Sequence, residues 1–175
     1  MLRNLILASN SRWYWVALIL LAVLMEGGAL FYQYVLDELP CVLCIQVRIL
    51  VLAFSLVAII ALFIGRIGYG QTIAHALTTA IMAGFFERSY MLLGTERGFV
   101  IASCNMDLGL PDWFALQQWL PSVFKVWTSC GYTPVLMFGI TMAEALIVMS
   151  GLLVVTSGLF TVLSIIAKRQ YTKYY

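Results

Sequence analysis

The sequence predicts an all-α membrane protein. It should be a four-helix transmembrane bundle with both termini cytoplasmic and one long, cysteine-containing outer loop between the third and fourth spans. Three observations lead there. Of the 175 residues, 63% are hydrophobic and 10% are charged, where a soluble domain carries roughly 45–50% and about 25%. Four stretches each supply the approximately 20 mainly apolar residues that a helix needs to cross a bilayer. The lysines and arginines that no acid offsets gather on one side of those stretches. A mean hydropathy of +0.97 excludes a soluble globular chain, and the same scarcity of charge excludes disorder.

The first span is expected over residues 13–35. Arg3 and Arg12 precede it as a signal peptide's basic region would, but the apolar run is longer than such a peptide's core and Glu26 interrupts it, so it reads as an uncleaved span. The second is expected over 44–64 and the third over 71–93, joined by a short hairpin around Arg66 that Gly65, Gly68 and Gly70 ease. The apolar stretch 135–167 is too long for one crossing, so the fourth span is placed at 142–166, where Thr156, Ser157 and Gly158 weaken but do not end the helix. Residues 36–43 and 94–141 then form the two outer loops of a single integral membrane domain, 1–175.

Orientation follows from the cations, because cytoplasmic loops carry the excess of Lys and Arg. One side holds Arg3, Arg12, Arg66, Lys168, Arg169 and Lys173 with no acid among them. The other holds Arg48, Arg88, Arg97 and Lys125, offset by Asp37, Glu38, Glu87, Glu96, Asp107 and Asp112. Both termini are therefore expected in the cytoplasm. All four cysteines fall on the opposite side, the kind of compartment in which disulfides persist.

The same composition removes several functions. A net charge of +2, without a basic cluster or aromatic-basic stripe, gives no footprint for nucleic acid. His75 is the single histidine, so a haem with two axial histidines or a His-rich zinc or di-iron site lacks its ligands. Met25, Met82, Met142 and Met149 lie within spans, where methionine is ordinary core filling.

Cys41-Val-Leu-Cys44 has the C-x-x-C spacing of redox-active dithiols. Pro40 precedes it and the second span begins near Cys44, so a sulfur there meets the unpaired N–H groups and dipole of a helix start, which favour a thiolate. Arg48, four residues on, lies one turn deeper on the same face, about 6 Å along the axis. It can lower the thiol's affinity for its proton, donate to an acceptor bound at the interface, or simply anchor the span by reaching toward headgroups. Cys104 and Cys130 read as a second disulfide closing a long loop. As a staple it contributes roughly 3–4 kcal/mol; as an exposed pair in the polar surroundings of Ser103 and Asn105 it is the exchangeable kind. Spacing does not separate the two.

Pro40-Cys41-x-Leu43-Cys44-x-x-x-Arg48, four spans and a second cysteine pair in the long outer loop together resemble the DsbB family, from Glu26 to Cys130. The resemblance implies a quinone-dependent thiol oxidase of the bacterial inner membrane, with its cysteines on the periplasmic side. Its partner would be a periplasmic DsbA-like protein of thioredoxin fold, and its electron acceptor ubiquinone or menaquinone. Cys104 would form the mixed disulfide with that partner, Cys130 would exchange with Cys41, and Cys44 would stand beside the quinone ring with Arg48 touching both. One departure concerns a histidine that some members carry just after the third span. Here the segment reads Arg88-Ser-Tyr-Met91, and His75 lies at the other end, so no role for that histidine carries over.

Two other functions compete. A vitamin K epoxide reductase-like quinone oxidoreductase also uses a C-x-x-C, but late in its chain rather than at the second span. A disulfide-stapled or metal-binding membrane protein without turnover is the bland alternative; a Cys₄ zinc site usually brings two close pairs, unlike Cys104 and Cys130. Two further features bear on function. Glu26 inside a span is costly and by default functional, a source of one proton for a quinone, with a hydrogen bond between helices as the plainer account. Pro111 to Pro121 reads as one short amphipathic helix in the membrane plane, with Trp113, Leu116, Trp119 and Leu120 on its apolar face.

Overall fold

The computed structural model describes residues 11–64, 70–100, 108–111, 114–136 and 139–174. The Arg66 hairpin, Cys104 and Trp113 lie outside the described residues. Helix α1 spans Arg12–Val35 and starts at Ser11, whose hydroxyl accepts from the Trp13 amide at 3.3 Å, satisfying one of the unpaired N–H groups of a helix start. Helix α2 spans Val42–Ile64 and α3 spans Gly70–Arg97. Two single turns follow, α4 at Leu116–Trp119 and α5 at Pro121–Phe124, and α6 runs over Met142–Tyr174.

Among the described residues three helices are long and apolar enough to cross a membrane: Arg12–Val35, Val42–Ile64 and Met142–Ile166. Their outward faces carry large apolar side chains, with Trp13, Leu24, Phe63 and Val155 all exposed and Phe63 85% so. That is the inverse of a soluble surface and is what lipid as solvent requires. Helix α3 is as long but carries Gln71, His75, Thr78, Thr79, Glu87 and Arg88 along its length. It packs between α2 and α6, while α1 packs on α2.

The packing follows the helical period. Trp15, Leu18 and Ala22 of α1 meet Val47, Val51, Phe54, Ala58 and Ala61 of α2 and Ala74, Met82 and Phe85 of α3 in one buried cluster. On α6 the buried Ser150, Ser157 and Ser164 recur every seven residues. Each hydroxyl bonds back to a carbonyl of its own helix, so small side chains allow close approach without an unsatisfied group. Thr79 and Thr161 join α3 to α6 through their hydroxyls at 2.8 Å. At the end away from the cysteines, Trp15 donates to Gln71 at 2.9 Å and Gln71 donates to the Ala61 carbonyl at 3.1 Å.

Four boundaries differ from expectation. Helix α2 begins at Val42, two residues early, because Cys41 caps it. Helix α3 continues past residue 93 to Arg97 and stops at Gly98, whose φ of +77° ends a helix without a side-chain clash. The Phe99 and Val100 amides then donate to the Gly94 carbonyl at 3.0 and 3.1 Å. Helix α6 continues beyond residue 166 to Tyr174. The expected single helix from Pro111 to Pro121 is instead two separate turns. Pro121 disfavours a helical conformation at Leu120, which takes φ −135° and ψ 68°, and starts α5 afresh. Trp119 and Leu120 stay exposed, and Phe124 is the residue of these turns that is buried.

Candidate active site

Cys41 and Cys44 form a disulfide with their Cα atoms 5.1 Å apart. Three residues apart at a helix start, they share one face. Pro40 has no N–H to lose, and Cys41 becomes the capping residue: its carbonyl accepts from the Ile45 amide at 3.0 Å and its Sγ from the Cys44 amide at 3.2 Å. The sequence had put Cys44 at the helix start; that position belongs to Cys41, and Cys44 sits in the first turn.

The two sulfurs face different surroundings. Cys41 is 1% exposed, enclosed by Leu92, Leu108, Phe124 and Val126. Cys44 lines a cavity of about 260 Å³ between α1, α2 and the start of α6. The cavity walls are largely apolar, with Leu24, Val51, Leu146 and Met149 among them, and Glu26 and Arg48 are its polar groups at depth. Nearer the loops, Glu38 and Tyr132 line the same cavity and are joined by a hydrogen bond of 3.4 Å.

On the Cys41 side a loop segment pairs with the C-x-x-C approach. The Trp127 amide donates to the Pro40 carbonyl at 3.1 Å, and Thr128 bridges Cys41 in a parallel sense. Two residues further on, half-buried Cys130 packs against the cluster that encloses Cys41 and is itself disulfide-bonded. The structure thus brings Cys41, Cys44, Arg48 and Cys130 to one end of the molecule.

Arg48 does not reach outward. It is 6% exposed, and its guanidinium donates to Gln33 Oε1 at 2.6 Å, the Ala29 carbonyl at 3.0 Å and the Val123 carbonyl at 3.1 Å. This corrects the headgroup-anchor expectation: a buried cation must be met by protein acceptors, and α1 and α5 supply them. Three of its five N–H donors are engaged in this way, which leaves donor capacity beside the cavity. Gln33 Nε2 and the Tyr34 hydroxyl both donate to the Ser122 carbonyl, at 2.9 and 2.5 Å, so α1 and α5 are tied twice. Gln33, Tyr34 and Ser122 were not read from the sequence. The available signal was a glutamine seven residues after Glu26 on the same face of an apolar span.

Glu26 also departs from the plainer expectation of a hydrogen bond between helices, because its Oε1 is buried with no hydrogen-bond partner. His75 lies away from the site, in a ring cluster with Tyr14, Trp15 and Phe160. Arg88 pairs with its neighbour Glu87 at 3.0 Å on the outside of α3.

A C-x-x-C disulfide held between an apolar cavity and a cysteine-bearing loop, on helices fit for a bilayer, defines a membrane thiol oxidoreductase. The profile of the family described as disulfide bond formation protein DsbB matches residues 11–160. The chain belongs to that family and is a disulfide-forming membrane oxidoreductase. It is similar to disulfide bond formation protein B of Shewanella loihica, 32% identical over 149 residues that cover 80% of this chain and 82% of the relative. The protein of the same name from Shewanella frigidimarina and disulfide bond formation protein B 2 of Pseudomonas aeruginosa are each 30% identical over 136 residues, covering 77% of this chain and 80% of theirs.

Proposed function

We propose that the protein reoxidises a periplasmic DsbA-like dithiol protein and passes the two electrons to a membrane quinone, ubiquinone or menaquinone. The observation that carries this reading is the division of the C-x-x-C pair, with Cys44 on the cavity and Cys41 against the loop segment that leads to Cys130. In this reading α3 crosses the membrane as well, as the third of four spans, both termini are cytoplasmic, and the cysteines face the periplasm of a bacterial inner membrane. The cation distribution supports it.

The cavity fits a quinone head. Its walls are apolar, Arg48 keeps donors beside it, and Gly28 lines it at a point where an added Cβ would meet nothing within 4 Å. When bound, the quinone accepts two electrons and two protons. The chain's own residues do the rest. Cys104 receives the partner's thiolate and forms the mixed disulfide. Cys130, released as a thiolate, attacks Cys41, because attack at that sulfur makes Cys44 the leaving thiolate. The partner's second thiolate then frees Cys104, which retakes Cys130 and releases Cys41 as a thiol. The first-turn amides of α2 and the Arg48 guanidinium hold Cys44 as a thiolate at the cavity wall. Apolar packing around Cys41 keeps water from the exchanging bond.

The test is quinone absorbance followed over time with purified protein, ubiquinone and a reduced DsbA-like protein. Enzyme-dependent loss of the quinone signal is the expected result. No loss with ubiquinone or menaquinone overturns the reading.

A further inference from the structure

The cavity contains a second piece of chemistry that the cysteines do not use. Glu26 projects into it from α1, on the face that also carries Ala29 and Gln33, the α1 partners of Arg48. The guanidinium directs its hydrogen bonds to those two residues and to Val123. Glu26 Oε1 is left buried without a hydrogen-bond partner. A carboxyl in that position is expensive in a bilayer core, and no hydrogen bond satisfies that oxygen. Space beside it is open: a Cβ at Gly27 or Gly28 would meet no atom within 4 Å. The other titratable groups lining the cavity are Cys44, Arg48, Tyr32, Glu38 and Tyr132, and the stretch of α6 that closes it, with Met142, Ala145, Leu146 and Met149, contributes none. Glu38 and Tyr132 stand at the loop end of the same cavity, where they reach water.

We infer that Glu26 is the proton donor to the electron acceptor in this cavity, refilled from water through Glu38 and Tyr132. The inference rests on the quinone reading above. Its stoichiometry closes: as the S–S bond forms, the Cys41 thiol and Cys44 thiolate give up two electrons and one proton, and the Glu26 carboxyl gives up the second proton. Quinone gains both electrons and both protons and leaves as quinol. Glu26 is then an anion and takes its proton back from water. Arg48, one helix away, favours that transient anion.

The experiment uses the full chain in lipid nanodiscs with decyl-ubiquinone, comparing wild type, Glu26→Gln and Glu26→Asp. Glu26→Gln is expected to slow quinol formation on the order of 10²-fold, as loss of a general acid does. Quinone affinity, read by tryptophan quenching, should change by less than about twofold. Glu26→Asp should recover most of the rate. The infrared difference spectrum on quinone reduction should show a carboxyl band in wild type that Glu26→Gln lacks. Equal rates for Glu26→Gln and wild type, or a loss of affinity in proportion to the loss of rate, overturn the assignment. If Glu26→Gln fails to fold, the wild-type spectrum decides, and absence of a carboxyl change overturns it. A wild-type protein that reduces no quinone overturns the underlying reading as well, so the two failures are distinct.

Discussion

The two cysteine-bearing regions are built by different means. Cys41 and Cys44 belong to a helix start: the spacing, Pro40, the Cys41 cap and the first-turn amides all come from a few consecutive residues. Cys130 belongs to a loop whose position depends on distant partners. The Trp127 amide on Pro40, the Thr128 bridge to Cys41 and the packing of Phe124 and Val126 are among the contacts that hold it in place. The first arrangement is local and sets Cys44 at the cavity wall. The second is tied by partners on several elements: Ser122 accepts from Gln33 and Tyr34, Val123 from Arg48, and Tyr132 and Thr133 donate to Glu38 and Glu96. The difference teaches that one cysteine site can join a locally encoded pair to a cysteine placed by long-range contacts.

The comparison breaks most severely at Cys44. Cys44→Ser should abolish quinone reduction while mixed-disulfide formation with the partner continues, which gel analysis under non-reducing conditions would display. Arg48→Met comes next. It removes a charged donor, and hydrogen bonds to charged groups are worth about 1.5–3 kcal/mol, so the quinone KM should rise roughly tenfold to a hundredfold. The partner's KM should move far less, and an unchanged quinone KM would count against the role.

Trp127→Pro probes the loop side alone. Proline lacks the N–H that reaches Pro40, and one hydrogen bond is worth about 0.5–1.5 kcal/mol. Exchange from the loop to Cys41 should slow roughly two- to tenfold. Quinone reduction driven by a small dithiol acting directly on Cys41–Cys44 should be unaffected, a split that stopped-flow absorbance can resolve. The smallest effect is expected at the Arg97–Glu144 ion pair between α3 and α6. Arg97 is exposed, and such pairs contribute about 0–1 kcal/mol, so Arg97→Ala should change thermal stability slightly and turnover not at all.

What the sequence disclosed was local. Apolar runs gave the long helices, and 142–166 coincides with the candidate span in α6. C-x-x-C at a span start gave the dithiol and its cavity-side neighbour Arg48. What it withheld depends on residues far apart in the chain. The acceptors around Arg48 come from α1 and α5, and Thr128 meets Cys41 across most of the fold; no periodicity encodes such meetings. The split of the expected 111–121 helix turned on Pro121, whose restriction of Leu120 outweighed the apolar spacing. One local signal went unread: Thr141-Met-Ala-Glu144 is a capping box. Glu144 accepts from the Thr141 amide at 3.0 Å, and Thr141 Oγ1 accepts from the Glu144 amide at 3.3 Å.

The central claim is that electrons enter at the loop and leave through Cys44. It is tested most directly by a single turnover of Cys44→Ser, mixed with reduced partner and ubiquinone, while the partner's mixed disulfide and the quinone absorbance are followed together. The account predicts that the mixed disulfide accumulates and the quinone signal stays constant. Quinone loss at the wild-type rate in that variant would contradict it.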